Sequence, residues 1–164
     1  MQARTRVHEY GGGASLVHNG AVYYSHFVDN AMYSVSAPNA TAAERLTPLD
    51  KNWRFADARI SDTWCVPPPN PFPIDFDRFF LTNFMMACGR NALYAVREDH
   101  ANEKDVINTV VAISLKDQSQ HVLASGADFY SSPRVSSDGK HLCWIEWNHP
   151  NMVTFHCSLL LFFF

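Results

Sequence analysis

The apolar positions of this chain fall in short runs punctuated by turn-forming residues, which is the pattern of strands joined by tight connections. Ser15-Leu16-Val17 and Ala21-Val22-Tyr23-Tyr24-Ser25 flank His18-Asn19-Gly20. Asn-Gly is a strong hairpin signal because both residues tolerate positive φ. Asp29-Asn30 turns the chain into Met32–Val35, and a loose loop over 37–43 leads to a short outer strand, Glu44–Thr47. Pro48 ends that strand, since proline cannot donate to a ladder. A second set follows: a start near Phe55 with Arg59-Ile60-Ser61, then Ala92–Val96, Asn108–Leu115 and His121–Ala124. A third begins at Phe129, turns at Ser137-Asp138-Gly139, runs through Leu142–Trp147 and stops. Ala92–Val96, Val110–Leu115 and Leu142–Ile145 are apolar on both faces. A sheet with one wet face alternates apolar and polar residues, whereas stacked sheets bury both faces.

A segment occurs twice. Phe55-Ala56-Asp57-Ala58-Arg59-Ile60-Ser61-Asp62 returns as Tyr130-Ser131-Ser132-Pro133-Arg134-Val135-Ser136-Ser137-Asp138, and Asn91–His100 aligns with Lys140–His149. Each copy reads as strand, turn, strand. In the second copy Asp138-Gly139 joins the strands directly, while in the first Asp62 and Gly89 are separated by Thr63–Cys88, which has no counterpart. Arg59 and Arg134 are 75 positions apart, or 49 without those 26 residues. That spacing is close to the roughly 40–50 residues of a four-stranded propeller blade. The fold predicted is all-β: an incomplete β-propeller of about three four-stranded blades over residues 1–152, with an irregular insertion at 63–88. The insertion holds Pro67-Pro68-Pro69, Pro71 and Pro73, which break strands and helices. It reads either as a gating loop or as a stretch outside the fold, is expected not to pair with the blades, and its removal would leave an Asp62-Gly89 hairpin. The tail 153–164 ends in Leu159–Phe164 and reads as an apolar run outside the repeat pattern. A third repeat lacking its neighbouring strands would leave Leu142–Ile145 unpaired, so self-association through exposed edges is expected.

The chain has 164 residues, 47% apolar and 18% charged, consistent with one globular domain. Its 22 aromatics, 12 Phe, 6 Tyr and 4 Trp, suit strands. A net charge of -3 and the lack of a basic stripe argue against a nucleic-acid partner. Cys65, Cys88, Cys143 and Cys157 form no C-x-x-C pair, which fits a reducing, cytoplasmic setting. Met1–Glu9 lacks an apolar signal region, and Leu159–Phe164 is far short of the roughly 20 apolar residues of a membrane span, so no membrane partner is expected.

Candidate chemistry is sparse. No G-x-S-x-G nucleophile elbow occurs, and Ser15 after Gly13-Ala14 has the wrong flanks and enters a strand. Asp99-His100 read as neighbours in a loop with no nucleophile, His100 at a blade edge, and Arg97-Glu98 as a solvated loop. Gly11-Gly12-Gly13 has neither a preceding strand nor a following helix, so it reads as a hinge rather than a phosphate loop. The histidines at 8, 18, 26, 100, 121, 141, 149 and 156 are scattered without metal-ligand spacing. No catalytic, cofactor-binding or metal-ligating residue is assigned, and no cofactor is expected.

The chain resembles the N-terminal β-propeller of prolyl oligopeptidase family serine peptidases, in the acylaminoacyl-peptidase and dipeptidyl-aminopeptidase-like branch. The resemblance is carried by Val7-His8-Glu9-Tyr10-Gly11-Gly12-Gly13-Ala14, Val22–Ser25, Leu46-Thr47-Pro48, Val96–His100, Ser125–Arg134 and Trp147–Met152, over 7–62 and 89–152. It implies a truncated fragment without the α/β-hydrolase domain that carries the Ser-His-Asp triad, inactive alone. In the full-length enzyme the propeller would gate access of peptide substrates. A free-standing propeller-like module for binding protein or peptide is the alternative; a closed propeller needs at least four blades.

Overall fold

The computed structural model describes residues 2–36, 42–61, 64–66, 87–89, 91–102, 104–139, 141–151 and 158–163, with backbone alone for 64–66, 87–89 and 158–163. All described regular structure is strand, and every strand pairing is antiparallel. Among the described residues no helix is long and apolar enough to cross a membrane. The first sheet runs in the order β1 (Ser15–His18), β2 (Ala21–Ser25), β3 (Met32–Ser36), β4 (Glu44–Arg45). Asn19 and Gly20 both have positive φ in its first hairpin, as the Asn-Gly pair requires.

The second sheet has the order β5-β8-β9-β10, formed by β5 (Trp53–Ser61), β8 (Ala92–Asp99), β9 (Ile107–Ser114) and β10 (Gln120–Ser125). Between β5 and β8 lie β6 (Trp64–Val66) and β7 (Ala87–Gly89), which pair with each other, Trp64 with Gly89 and Val66 with Ala87. The 63–88 stretch was expected not to pair with the main sheets, and its described ends pair only with each other, in a two-stranded ladder of their own. The rest of that stretch, 67–86, lies outside the described residues.

The third sheet is β11 (Phe129–Val135), β12 (His141–Trp147) and β13 (Ser158–Phe163). Here the tail departs from expectation. Ser158–Phe163 pairs along β12 from Glu146 to His141, so the edge of Leu142–Ile145 is not bare. An uncharged Leu/Phe run beside an apolar strand with free N–H and C=O groups satisfies both at once.

The sheets stack face to face, and period-two alternation within the middle sheet explains how. Ala92, Tyr94 and Val96 on β8, with Val110 and Ala112 on β9, pack against Tyr130, Leu142 and Trp144 of the third sheet. Leu93 and Ala95, with Val111 and Ile113, point the other way onto Met32 and Leu46 of the first. Both faces of β8 and β9 are buried for this reason, as their doubly apolar runs predicted. The two repeat copies share the same irregularity. The β5–β8 register shifts between Ala56 and Arg59, and the β11–β12 register shifts between Ser131 and Arg134. Asp57 (φ 56°) and Ser132 (φ 54°) hold the same left-handed position within these two bulges.

Leu142→Ala should cost about 2–5 kcal/mol, because Leu142 is fully buried between the second and third sheets. Val122→Ala on β10, at a side chain 50% exposed, should change stability by about 0.5 kcal/mol or less. Denaturant unfolding of both variants checks this, and equal losses would contradict the stacking.

Candidate functional site

The segment before β1 is a strap across the sheet ends rather than a flexible lead. Arg4 N–H donates to Ser25 O at 3.0 Å, and Val7 is buried in the core between the second and third sheets. Then the chain coils tightly: Glu9 N–H bonds Arg6 O at 2.9 Å, and Gly11 N–H bonds Val7 O at 2.8 Å. His8 and Glu9 both take positive φ, 56° and 63°. Two successive non-glycine residues in this region cost about 1–3 kcal/mol each and persist only when their surroundings fix them.

Glu98 is what fixes them. It is 3% exposed and lies opposite Arg54 in the β5–β8 register. Its Oε1 accepts the His8 N–H at 2.6 Å, and its Oε2 lies 2.9 Å from His100 Nε2 and 3.9 Å from Arg54 Nη1. Arg54 in turn donates to Arg6 O at 3.2 Å and to Glu9 Oε1 at 2.6 Å. The hydrogen bond and charge of Arg54 hold the Glu9 carboxyl below its ordinary pKa. A buried carboxylate is tolerable only when hydrogen-bonded and faced by positive groups, and this one has an N–H, an imidazole and a guanidinium.

The His8 ring lies between the two repeat copies. It meets Phe129 and Trp147 edge-on at centroid distances of 5.4 and 5.5 Å, and Phe129 stacks on Trp147 at 5.3 Å. His149 closes on Phe129 at 4.9 Å, and Tyr10, 78% exposed, tilts over His8 at 5.7 Å. In repeat alignment Phe129 stands where Arg54 does, and Trp147 where Glu98 does. One copy offers an ion pair at this rim and the other an aromatic pair, with the strap seated across both. Burial is the largest influence on His8 and lowers its pKa, against the Glu98 and Asp57 charges that raise it.

Past the coil, the glycine run meets β5. Asp57 Oδ1 accepts the Gly13 N–H at 2.6 Å, Asp57 N–H donates to Gly13 O at 2.8 Å, and Asp57 Oδ2 accepts the Ser132 N–H at 3.1 Å. A Cβ on Gly13 would sit 2.9 Å from Asp57 Oδ1, so glycine is needed there for close approach.

Two expectations are thereby corrected, those for Arg97-Glu98 and for the glycine run. Arg97 and Glu98 are not a solvated loop: they belong to β8, Glu98 inside the rim and Arg97 with its guanidinium 4.3 Å from the Trp53 ring. His100 follows the end of β8, as a strand-edge residue was expected to, and is 9% exposed, drawn in by Glu98. Gly11-Gly12-Gly13 is no hinge, because Gly13 is locked onto Asp57. Ser15 opens β1 and is exposed. Cys143 is a half-buried free thiol. Among the described residues no three His, Cys, Asp or Glu side chains are grouped to hold a metal ion; His156 lies outside them. Asp57 and Arg54 were missed as candidates. The signal for Asp57 was there: an acid between two alanines in a strand, aligned with Ser132 just before Pro133.

No family model and no curated protein matches the sequence. Solved structures do. A puromycin-hydrolysing peptidase of Mycobacterium tuberculosis is similar over 98% of this chain, at 28% identity and a TM-score of 0.68. A puromycin hydrolase is similar over the same 98%, at 22% identity and a TM-score of 0.67. The resemblance to prolyl oligopeptidase family peptidases holds. In both cases the chain spans only 23% of the family member's length.

Asp57→Ala should cost about 2–3 kcal/mol, since two backbone N–H groups lose their acceptor and alanine must take a left-handed φ. Asp57→Asn keeps one acceptor and tolerates that φ, so about 1 kcal/mol is expected. Equal losses in denaturant unfolding would contradict the bridging role. A pH dependence follows from His8. Its folded pKa lies below the ordinary 6.5 of the unfolded chain, so the folded state binds fewer protons. Its contribution is full above that value and is lost as pH falls from there through the folded pKa. The drop in unfolding midpoint between pH 7.5 and 5.5 should shrink in His8→Phe; an unchanged drop would refute it.

Proposed function

We propose that the chain is a non-catalytic propeller portion of a prolyl-oligopeptidase-family serine peptidase. The observation that carries this reading is similarity along 98% of the chain to a peptidase of which it covers only 23%. In this reading each sheet is a blade: β1–β4, then β5 with β8–β10, then β11–β13. The propeller domain runs over 1–152 with the insertion at 63–88, and the tail 153–164 lends one strand. The sequence has no G-x-S-x-G elbow to present a nucleophile. The hydrolase domain of the full-length enzyme would cleave peptides, and the stacked sheets would restrict which ones reach it. The peptidase is cytoplasmic, with peptides rather than nucleic acid or membrane as partners. The acylaminoacyl-peptidase-like branch is the one its strap motif resembles.

A second reading, a free-standing module that binds protein or peptide, has one observation in its favour: β13 covers the β12 edge that a fragment was expected to leave open to self-association.

The purified chain should release nothing from puromycin or from an acylaminoacyl amide, and a fluorophosphonate probe should label no serine. Turnover together with probe labelling would overturn the proposal. A monodisperse monomer with a cooperative melt and no activity would favour the second reading.

A further inference from the structure

The edge strands β5 and β11 carry a chemistry that neither the strap nor the peptidase reading uses. Arg59 on β5 and Arg134 on β11 occupy the same position in the two repeat copies, each two residues after the left-handed bulge residue. Each guanidinium is tied to its own strand in the same way. Nη1 donates to the preceding carbonyl, at 2.7 Å to Ala58 O and 2.8 Å to Pro133 O. β5 and β11 adjoin where the second and third sheets meet. Burial, and after it the Arg134 charge, press on the cationic form of Arg59, and the Asp57 charge offsets them only in part. Two like charges held near each other repel unless an anion lies between them. Among the described residues neither arginine has a carboxylate within ion-pair distance. The nearby acid, Asp57, has one oxygen engaged by the Gly13 N–H and the other by the Ser132 N–H. Arg134 is exposed and Arg59 half-buried, so the donors left over on the pair can be reached from solvent.

We propose that Arg59 and Arg134 form a two-pronged anion site on β5 and β11 that takes a carboxylate of a peptide. Guanidinium forks match the planar, two-oxygen geometry of a carboxylate and bind it with charge-assisted hydrogen bonds. The site is made by repetition: each copy supplies one prong, two residues after its left-handed bulge residue, on strands that adjoin. Phosphate has the same chemistry, so the choice of a peptide as the source rests on the peptidase reading above.

The test is binding of rhodamine-labelled acetyl-triglutamate amide to the full chain by fluorescence anisotropy, with acetyl-triglutamine amide and inorganic phosphate as the other arms. The glutamate peptide should bind, the glutamine peptide should not, and phosphate should compete. Arg134→Gln, at an exposed side chain, should weaken binding about tenfold with unchanged far-UV circular dichroism. Arg59→Lys keeps the charge but not the fork and should also weaken it. Equal binding of the two peptides, or wild-type affinity in both variants, overturns the proposal. Arginine-dependent binding of phosphate alone overturns the peptide source. Because the readout is binding, hydrolysis by the chain would sink the functional reading without touching this one.

Discussion

The carboxylate of Asp57 is the interaction on which the arrangement turns. It sits in a bulge of β5, and its two oxygens reach the strap on one side and β11 on the other. Its left-handed φ is what turns the side chain across the strand, and the N–H of a second left-handed residue, Ser132, meets it. Hydrophobic stacking supplies most of the attraction between sheets but has no direction of its own. A hydrogen-bonded acid shared by three segments supplies that direction, setting β5 and β11 in one relation to each other and the glycine run to both.

From that relation the rim follows. With β5 and β11 aligned bulge to bulge, their first residues and the last residues of β8 and β12 come to the same end of the stack. Arg54 and Glu98 then stand beside Phe129 and Trp147, and the strap coil lies over all four. The strain at His8 and Glu9 is sustained by the buried Glu98 and by Arg54, both fixed on strands with little freedom. A strained loop anchored on rigid strands is how a scaffold holds a binding surface in one shape.

Much of this was legible in the residues. The repeat located the two hairpins, and the doubly apolar runs of β8 and β9 announced a sheet covered on both sides. The chemistry was harder to read because it depends on non-local partners. Glu98 and His100 look like a polar chain end until β5 and the strap are placed beside them. The glycine run looks permissive until Asp57 is 2.6 Å away. The tail was misjudged for a related reason: Ser158–Phe163 has no turn or alternation of its own, and its pairing is dictated by the strand it joins.

The strap has an unusual place in time. Its anchors are far along the chain: His8 waits for Glu98, 90 positions later, and Asp57 for Ser132, 75 positions later. During synthesis from the amino end the coil leaves the ribosome early, yet nothing that holds it has been made. The strap is therefore made well before the strands that hold it. Until those anchors exist Val7 is unburied, and nothing holds His8 and Glu9 in their left-handed conformations. Closing such long loops is slow, and the same connectivity that ties the sheets together makes their assembly late and cooperative.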